Sequence, residues 1–219
     1  VAKVMNTDLP VLITGESGTG KSLIARVVHD FSDRRSQPFI VATERDLDGA
    51  DGPANLMQRA KGGTLVFDEI GDFGADAQAR VARMLDSFSN PAPRVMATSQ
   101  ARLGDRLSDG AFRQDLFFRL GGITVAVPPL RDRIDDVAPL AEHFLARIAR
   151  EGGVARVLSG AALDRLRRYS WPGNVRQLEN ARRQLVLSGA ESEITEAEVS
   201  QVLSSQPARD PADLTGEAE

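Results

Sequence analysis

Short apolar runs with β-branched and aromatic residues alternate with amphipathic helical patterns along the first part of the chain. Val11–Thr14, Phe39–Thr43, Thr64–Asp68, Arg94–Thr98 and Ile123–Val127 read as strands, each closed off by turn-forming or polar residues. Ser22–Phe31, Asp76–Asp86 and Ala111–Leu120 place their apolar residues at helical spacing and read as intervening helices. Strands that alternate with helices predict an α/β fold, a doubly wound parallel five-stranded sheet whose ligand site lies beyond the carboxyl ends of the strands. The pattern changes at VPPLRDR. After Pro128 and Pro129 every remaining element reads as helix: Ile134–Arg150, Ser159–Tyr169, Val175–Leu187 and Thr195–Leu203. The expected organisation is an α/β domain over residues 1–128, a smaller all-helical domain over 129–205 and a flexible linker over 206–219, where Pro, Ala, Asp and Ser accumulate. No element is read in ERDLDGADGPANLMQRAKGG, between the second strand and the third.

At 219 residues the chain has room for both domains, each with a buried core. Cysteine is absent, which excludes a disulfide framework and thiolate metal sites. His29 and His143 lie far apart, each within an apolar helical pattern, and read as core or surface residues rather than metal ligands. No apolar run is long enough to span a bilayer and no signal peptide opens the chain, so no membrane is expected and the cytoplasm is the expected compartment. The net charge of −4 is the wrong sign for a domain that grips DNA alone. The valine start and the linker-like tail read as the two ends of a central domain cut from a longer protein, with any DNA contact made by a domain outside this chain.

VLITGESGTGKSLIARVVH carries the pattern GxxxxGKS at Gly15–Ser22, directly after an apolar strand and directly before an amphipathic helix. Gly15, Gly18 and Gly20 allow a tight loop, in which the backbone N–H groups of the Glu16, Ser17 and Thr19 region can converge on phosphate oxygens. The helix N-terminus adds partial positive charge. Lys21 can reach the β- and γ-phosphates and the Ser22 hydroxyl can coordinate Mg²⁺. A glycine-rich surface turn would need no such strand and helix on either side. GGTLVFDEI then ends a buried strand at two carboxylates. Asp68 suits the outer sphere of Mg²⁺, and Glu69 suits polarisation of the attacking water. A lone acidic pair at a strand end could be merely solvated; paired with the upstream loop it reads as catalytic.

GTPases and small-molecule kinases share this fold. A GTPase reads guanine with an Asn/Thr-Lys-x-Asp segment, and none of the three lysines (Lys3, Lys21, Lys61) sits in one. A kinase needs an acceptor site and a closing lid, for which the sequence has no positive mark, and Glu69 points to water as the acceptor. The expected reaction is ATP hydrolysis.

GESGTGKS, GGTLVFDEIGD, AFRQDLFFRL, VPPLRDR and WPGNVRQLEN together resemble the AAA+ domain of bacterial enhancer-binding proteins, the NtrC-type activators that remodel sigma-54 RNA polymerase. The resemblance runs from Val1 to about Leu203 and implies a P-loop AAA+ core with a C-terminal all-helical lid. It makes Arg113 and Arg119, on one predicted helix, the arginine fingers that reach the γ-phosphate of a neighbouring subunit; by themselves they could equally be surface arginines paired with Asp115. Fingers acting in trans imply a hexameric or heptameric ring. Arg176 becomes the second sensor, a lid residue contacting nucleotide, with Trp171 in the lid core and Asn174 a helix cap. The first sensor, usually a Thr-Asn or Thr-His pair, falls at Ser99 and Gln100, and the asparagine that usually restrains the catalytic glutamate is replaced by Thr43.

The family also carries, between the second strand and the acidic strand, an insertion ending in a GAFTGA loop that touches sigma-54. No such phrase occurs in this sequence, and SFSNPAP, where a second moving insertion belongs, is abbreviated. The resemblance thus leaves three readings. The chain is a regulator whose ATP-driven assembly acts on RNA polymerase without gripping sigma-54, the housekeeping polymerase being one candidate partner. Alternatively it is a sigma-54 activator from which the loop was removed by design, or a non-hydrolysing oligomerisation scaffold. The intact Lys21, Asp68, Glu69 and Arg113 favour the first.

Overall fold

The computed structural model describes residues 4–49, 51–88, 90–100, 103–188 and 192–206. The tail expected to be a linker therefore lies, beyond Gln206, outside the described residues. The chain divides into two compact units, Val1–Glu16 with Gly20–Val127, and Ser17–Thr19 with Pro128–Glu219.

In the first unit, β1 (Val11–Thr14), α1 (Lys21–Asp30), β2 (Phe39–Ala42), α2 (Gly52–Ala60), β3 (Thr64–Phe67), α3 (Ala75–Asp86), β4 (Arg94–Ser99), α4 (Leu103–Ser108), α5 (Gln114–Leu120) and β5 (Ile123–Ala126) follow one another. The five strands form a parallel sheet in the order β2-β3-β4-β1-β5. Both faces are covered, so successive side chains of one strand enter different cores. Leu65 and Phe67 of β3 pack with Val81, Leu116 and Leu120. Val66, between them, packs with Ile13, Val28 and Met96 on the opposite side. This double burial is why the central strands read as continuous apolar runs.

Two helices of this unit were not expected from the hydrophobic pattern. α2 and a 3₁₀ turn at Glu44–Leu47 occupy the interval between β2 and β3. Pro53 stands in the first turn of α2, where its missing N–H costs nothing, but Leu56 and Ala60 are its only buried residues, too few for a clear periodic signal. α4 buries Leu103 alone. The helix expected from Ala111 starts at Gln114, because Arg113 is its N-cap in extended conformation.

The second unit contains α6 (Val137–Arg150), β6 (Val157–Leu158), α7 (Gly160–Arg167), α8 (Asn174–Ser188), β7 (Glu193–Ile194) and α9 (Glu196–Ser204). Trp171 is its central side chain, fully buried among Leu166, Leu178, Ala181 and Leu203, with its indole N–H donated to the Leu166 carbonyl at 2.9 Å. This is the helical domain expected, with one addition the sequence pattern did not show, the two-residue strands β6 and β7, which pair in parallel. Two-residue strands are too short to show alternation, and their stability comes from a buried neighbour. The Arg156 guanidinium donates to Leu185 O at 2.5 Å, to Glu193 O at 2.9 Å and to Glu198 Oε1 at 2.8 Å, so it ties the pair to α8 and α9.

Candidate nucleotide-binding site

β1 leads into the glycine-rich loop at the sheet's carboxyl edge. The Gly15 N–H is donated to Ser99 O at 3.2 Å, which fixes the start of the loop against β4. Gly18 and Gly20 have φ of 76° and 101°, in the left-handed region that favours glycine. At Gly18 space also forbids a side chain, since a Cβ would lie 2.4 Å from Gly173 O. α1 follows immediately, placing Lys21 and Ser22 in its first turn.

Lys21 is 5 % exposed. Its ammonium donates to Gly15 O at 3.0 Å and Glu16 O at 3.2 Å, and pairs with Glu69 Oε1 at 2.8 Å. Ser22 Oγ donates to Asp68 Oδ1 at 3.1 Å. Residues from three parts of the sequence thus meet at one point. Glu69 reaches Lys21 because the chain turns directly after β3: Glu69 has φ 51°, an uncommon conformation for a residue with a side chain.

A residue the sequence reading passed over links these acids. β4 lies between β3 and β1, and its register, with Phe67 opposite Ala97, continues to set Thr98 beside Asp68. Thr98 Oγ1 donates to Asp68 Oδ1 at 2.8 Å and accepts the Glu69 N–H at 2.8 Å. The only signal in the sequence was a hydroxyl at the end of an apolar strand, one position before Ser99. Ser99 itself is buried, with Oγ 2.7 Å from where a Cβ on Gly71 would stand, and Gln100 is exposed. Thr43 turns to its own loop: its N–H and Oγ1 both donate to Asp46 Oδ2 at 2.8 Å. Those bonds, the backbone one first, hold the Asp46 carboxyl below its ordinary range.

Arg113 and Arg119 have local partners. Arg113 forms a bidentate pair with Asp115, Nε to Oδ1 at 3.0 Å and Nη2 to Oδ2 at 2.9 Å, and the hydrogen bonds raise its already high proton affinity. Arg119 pairs with Asp86 of α3. Both guanidinium groups remain nearly half exposed. The segment before α5 is held by Gln78, another residue missed in the sequence. Its amide donates to Phe73 O at 2.7 Å and Ala111 O at 3.0 Å and accepts the Arg113 N–H at 2.8 Å.

Within the second unit, Arg176 Nη1 donates to Ser17 Oγ at 3.0 Å. Asn174, expected to be a cap, reaches beyond its helix. Its Nδ2 donates to Ser17 O at 2.9 Å and its Oδ1 accepts the Leu130 N–H at 2.7 Å.

His29 is buried, with Nδ1 2.9 Å from Thr64 Oγ1, and burial lowers its pKa. Among the described residues no group of three or more His, Cys, Asp and Glu side chains could hold a metal ion, and no helix is long and apolar enough to cross a membrane.

The sequence pattern of the sigma-54 interaction domain matches residues 1–130, and that of the AAA+ ATPase lid domain matches residues 131–215. Among curated proteins, the DNA-binding transcriptional regulator NtrC of Bradyrhizobium sp. (strain RP501 Parasponia) is 41 % identical over 213 residues, covering 84 % of this chain and 44 % of the relative. NtrC of Azospirillum brasilense is 37 % identical, covering 96 % and 51 %. The chain spans about half the length of the curated relatives it matches. Among solved structures, NtrX from Brucella abortus in complex with ATP superposes with a TM-score of 0.79 at 27 % identity, over 97 % of this chain and 56 % of NtrX. The FIGL-1 AAA domain in complex with ADP shares the fold at 14 % identity, with a TM-score of 0.67 over 98 % of this chain and 79 % of that one.

Proposed function

The chain belongs to the family of sigma-54 interaction domains, AAA+ P-loop NTPases with a helical lid, and on that premise we propose that it binds and hydrolyses ATP as part of an NtrC-like transcriptional regulator. The meeting of Lys21, Ser22, Asp68 and Glu69 carries this reading. The glycine loop Gly15–Gly20 offers backbone N–H groups to phosphate oxygens, and Lys21 offers a cation. Ser22 and Asp68 form an all-oxygen donor set that suits Mg²⁺, which when bound neutralises phosphate charge. Glu69 orients and deprotonates water; Thr98 holds its backbone and the Asp68 carboxylate in place. Arg113 and Arg119 act on the γ-phosphate of a neighbouring copy in a hexameric or heptameric ring, and Arg176 senses the nucleotide. NtrX, solved with ATP, supports the choice of nucleotide.

The test is a pair of substitutions. Lys21→Ala removes the cation facing the phosphates and should abolish ATP binding. Glu69→Gln keeps the loop and should bind ATP while hydrolysis stops. Equal ATP affinity of Lys21→Ala and wild type by titration calorimetry would overturn the assignment.

On the output side, we propose that this domain acts without direct sigma-54 contact, through ring assembly or a linked DNA-binding domain, with RNA polymerase as the eventual partner. Between β2 and β3 the described residues form only a 3₁₀ turn and α2, and Leu47 and Leu56 are buried in the core. Side chains used there have none of their surface left for a partner. A second reading, in which residues 47–59 touch sigma-54, has the sigma-54 interaction family match in its favour. ADP with a metal fluoride, a mimic of the transferring phosphoryl group, separates the two. The expected outcome on a native gel is nucleotide-dependent oligomers without sigma-54; a stable sigma-54 complex would establish the second reading.

A further inference from the structure

Every peptide plane that turns its carbonyl one way turns the following N–H the other way. At the tip of the phosphate loop, which belongs to the second unit, three consecutive carbonyls are engaged by donors of that unit. Ser17 O accepts from Asn174 Nδ2 at 2.9 Å. Gly18 O accepts the Val175 and Arg176 N–H groups at 3.0 and 3.3 Å. Thr19 O accepts from Arg133 Nη2 at 2.7 Å. The N–H groups of Gly18, Thr19 and Gly20 are thereby directed away from these donors, as a concave anion-binding nest requires.

Two of these donors are side chains, and Asn174 is the more constrained. It is wholly buried. Its φ of 51° lies in the region where asparagine is among the few side-chain-bearing residues tolerated. Its amide is read at both ends, Oδ1 accepting the Leu130 N–H at 2.7 Å while Nδ2 donates to Ser17 O, so a flipped amide would set acceptor against acceptor. We infer that Asn174 is a positioning residue for ATP binding: its amide sets the direction of the loop's peptide planes, with Arg133 as the second anchor. This rests on the reading of the loop as an ATP site.

Asn174→Asp isolates the donor. Aspartate has the same shape, accepts φ above zero and keeps an oxygen for the Leu130 N–H, but sets a second oxygen against Ser17 O. When protonated, that oxygen becomes a donor again; burial raises a carboxyl's pKa, while the guanidinium groups of Arg133 and Arg176, bonded to Thr19 O and Ser17 Oγ on the same loop, oppose the rise. In the 219-residue chain at pH 8, Asn174→Asp should weaken Mg·ATP binding by about 10- to 100-fold in calorimetry, the scale of one lost or opposed hydrogen bond at a charged, buried site. Part of that loss should return as the pH is lowered, where wild type changes less. KM for ATP should rise with Kd, while kcat at saturating ATP stays within about threefold, because the loop binds ground and transition states alike. Emission of Trp171, the sole tryptophan, buried and with its carbonyl accepting the Asn174 N–H at 2.8 Å, reports whether the lid is folded.

Wild-type affinity in a folded Asn174→Asp at pH 8, or a fall in kcat without a rise in KM, overturns the inference. If Asn174→Asp does not fold, Arg133→Leu decides, since it removes the donor to Thr19 O and leaves Asn174 intact: weaker ATP binding upholds the inference and unchanged binding overturns it. Failure of wild type itself to bind ATP more tightly than Lys21→Ala would remove the underlying site reading, a different result from either.

Discussion

A single hydroxyl joins the two acids of the site. Thr98 Oγ1 donates to Asp68 and accepts the backbone N–H of Glu69, so it fixes both the carboxylate suited to the metal and the unusual φ that aims Glu69. Thr98→Val keeps size and β-branching and removes those two bonds. Asp68 keeps the Ser22 hydroxyl as a donor, but the part-buried Glu69 N–H loses its acceptor at a cost on the order of 1–3 kcal/mol, so kcat should fall by about 10- to 100-fold. KM for ATP should move little, because Lys21 and the glycine loop are untouched. Steady-state kinetics in which KM rises and kcat holds would assign Thr98 to binding instead. Lys21, Ser22, Asp68 and Glu69 were legible in the sequence because each sits at a fixed offset within a local pattern. Thr98 was not, because its role follows from the strand order: β4 pairs with β3 and ends beside both acids, and sequence spacing does not say which strand pairs there.

At the scale of elements, legibility followed length and amphipathicity. The central strands β1, β3 and β4 and the long helices α1, α3, α6 and α8 were readable because each buries several residues, and the edge strands β2 and β5 because their short runs are rich in β-branched residues and bounded by turn-forming ones. α2, α4, β6 and β7 were not, since each buries two residues at most. α9 shows how a short helix is held by its start as well as by its buried face. Thr195 Oγ1 accepts the Glu198 N–H at 3.3 Å, and Glu198 Oε2 accepts the Thr195 N–H at 2.8 Å, a reciprocal capping box. The Glu198 carboxyl is held below its ordinary range, first by that Thr195 N–H and then by Arg156. A carboxylate with a depressed folded-state pKa contributes fully above its unfolded value and loses that contribution as pH falls through the folded one. Thr195→Ala removes one arm of the box and should cost about 1 kcal/mol. Measured by Trp171 fluorescence, that is a fall in Tm of roughly 4–8 °C for a unit of this size. An unchanged midpoint would mean that burial of Val199 and Leu203 alone holds α9.

Over the whole molecule, the proposed chemistry calls on a second copy. Among the described residues of the first unit no arginine is in hydrogen-bond contact with Asp68 or Glu69, whereas Arg113 and Arg119 stand at the two ends of α5, nearly half exposed, paired with Asp115 and Asp86. Phe118, between them in sequence, is 69 % exposed. A guanidinium is suited to charge developing on transferred phosphoryl oxygens, and those of Arg113 and Arg119 are both accessible to a second copy. If Arg113 serves the neighbour's ATP, its loss and the loss of Glu69 fall in different sites of a mixed ring. Arg113→Ala and Glu69→Gln, purified separately, should each hydrolyse little ATP. Mixed, they should recover part of wild-type turnover, because some junctions then set an intact Arg113 against an intact Glu69. Recovery should depend on the mixing ratio and be greatest near equal amounts, where such junctions are most numerous. Co-assembly shown by light scattering without any gain in hydrolysis would place Arg113 outside the neighbour's site and leave it a surface arginine paired with Asp115.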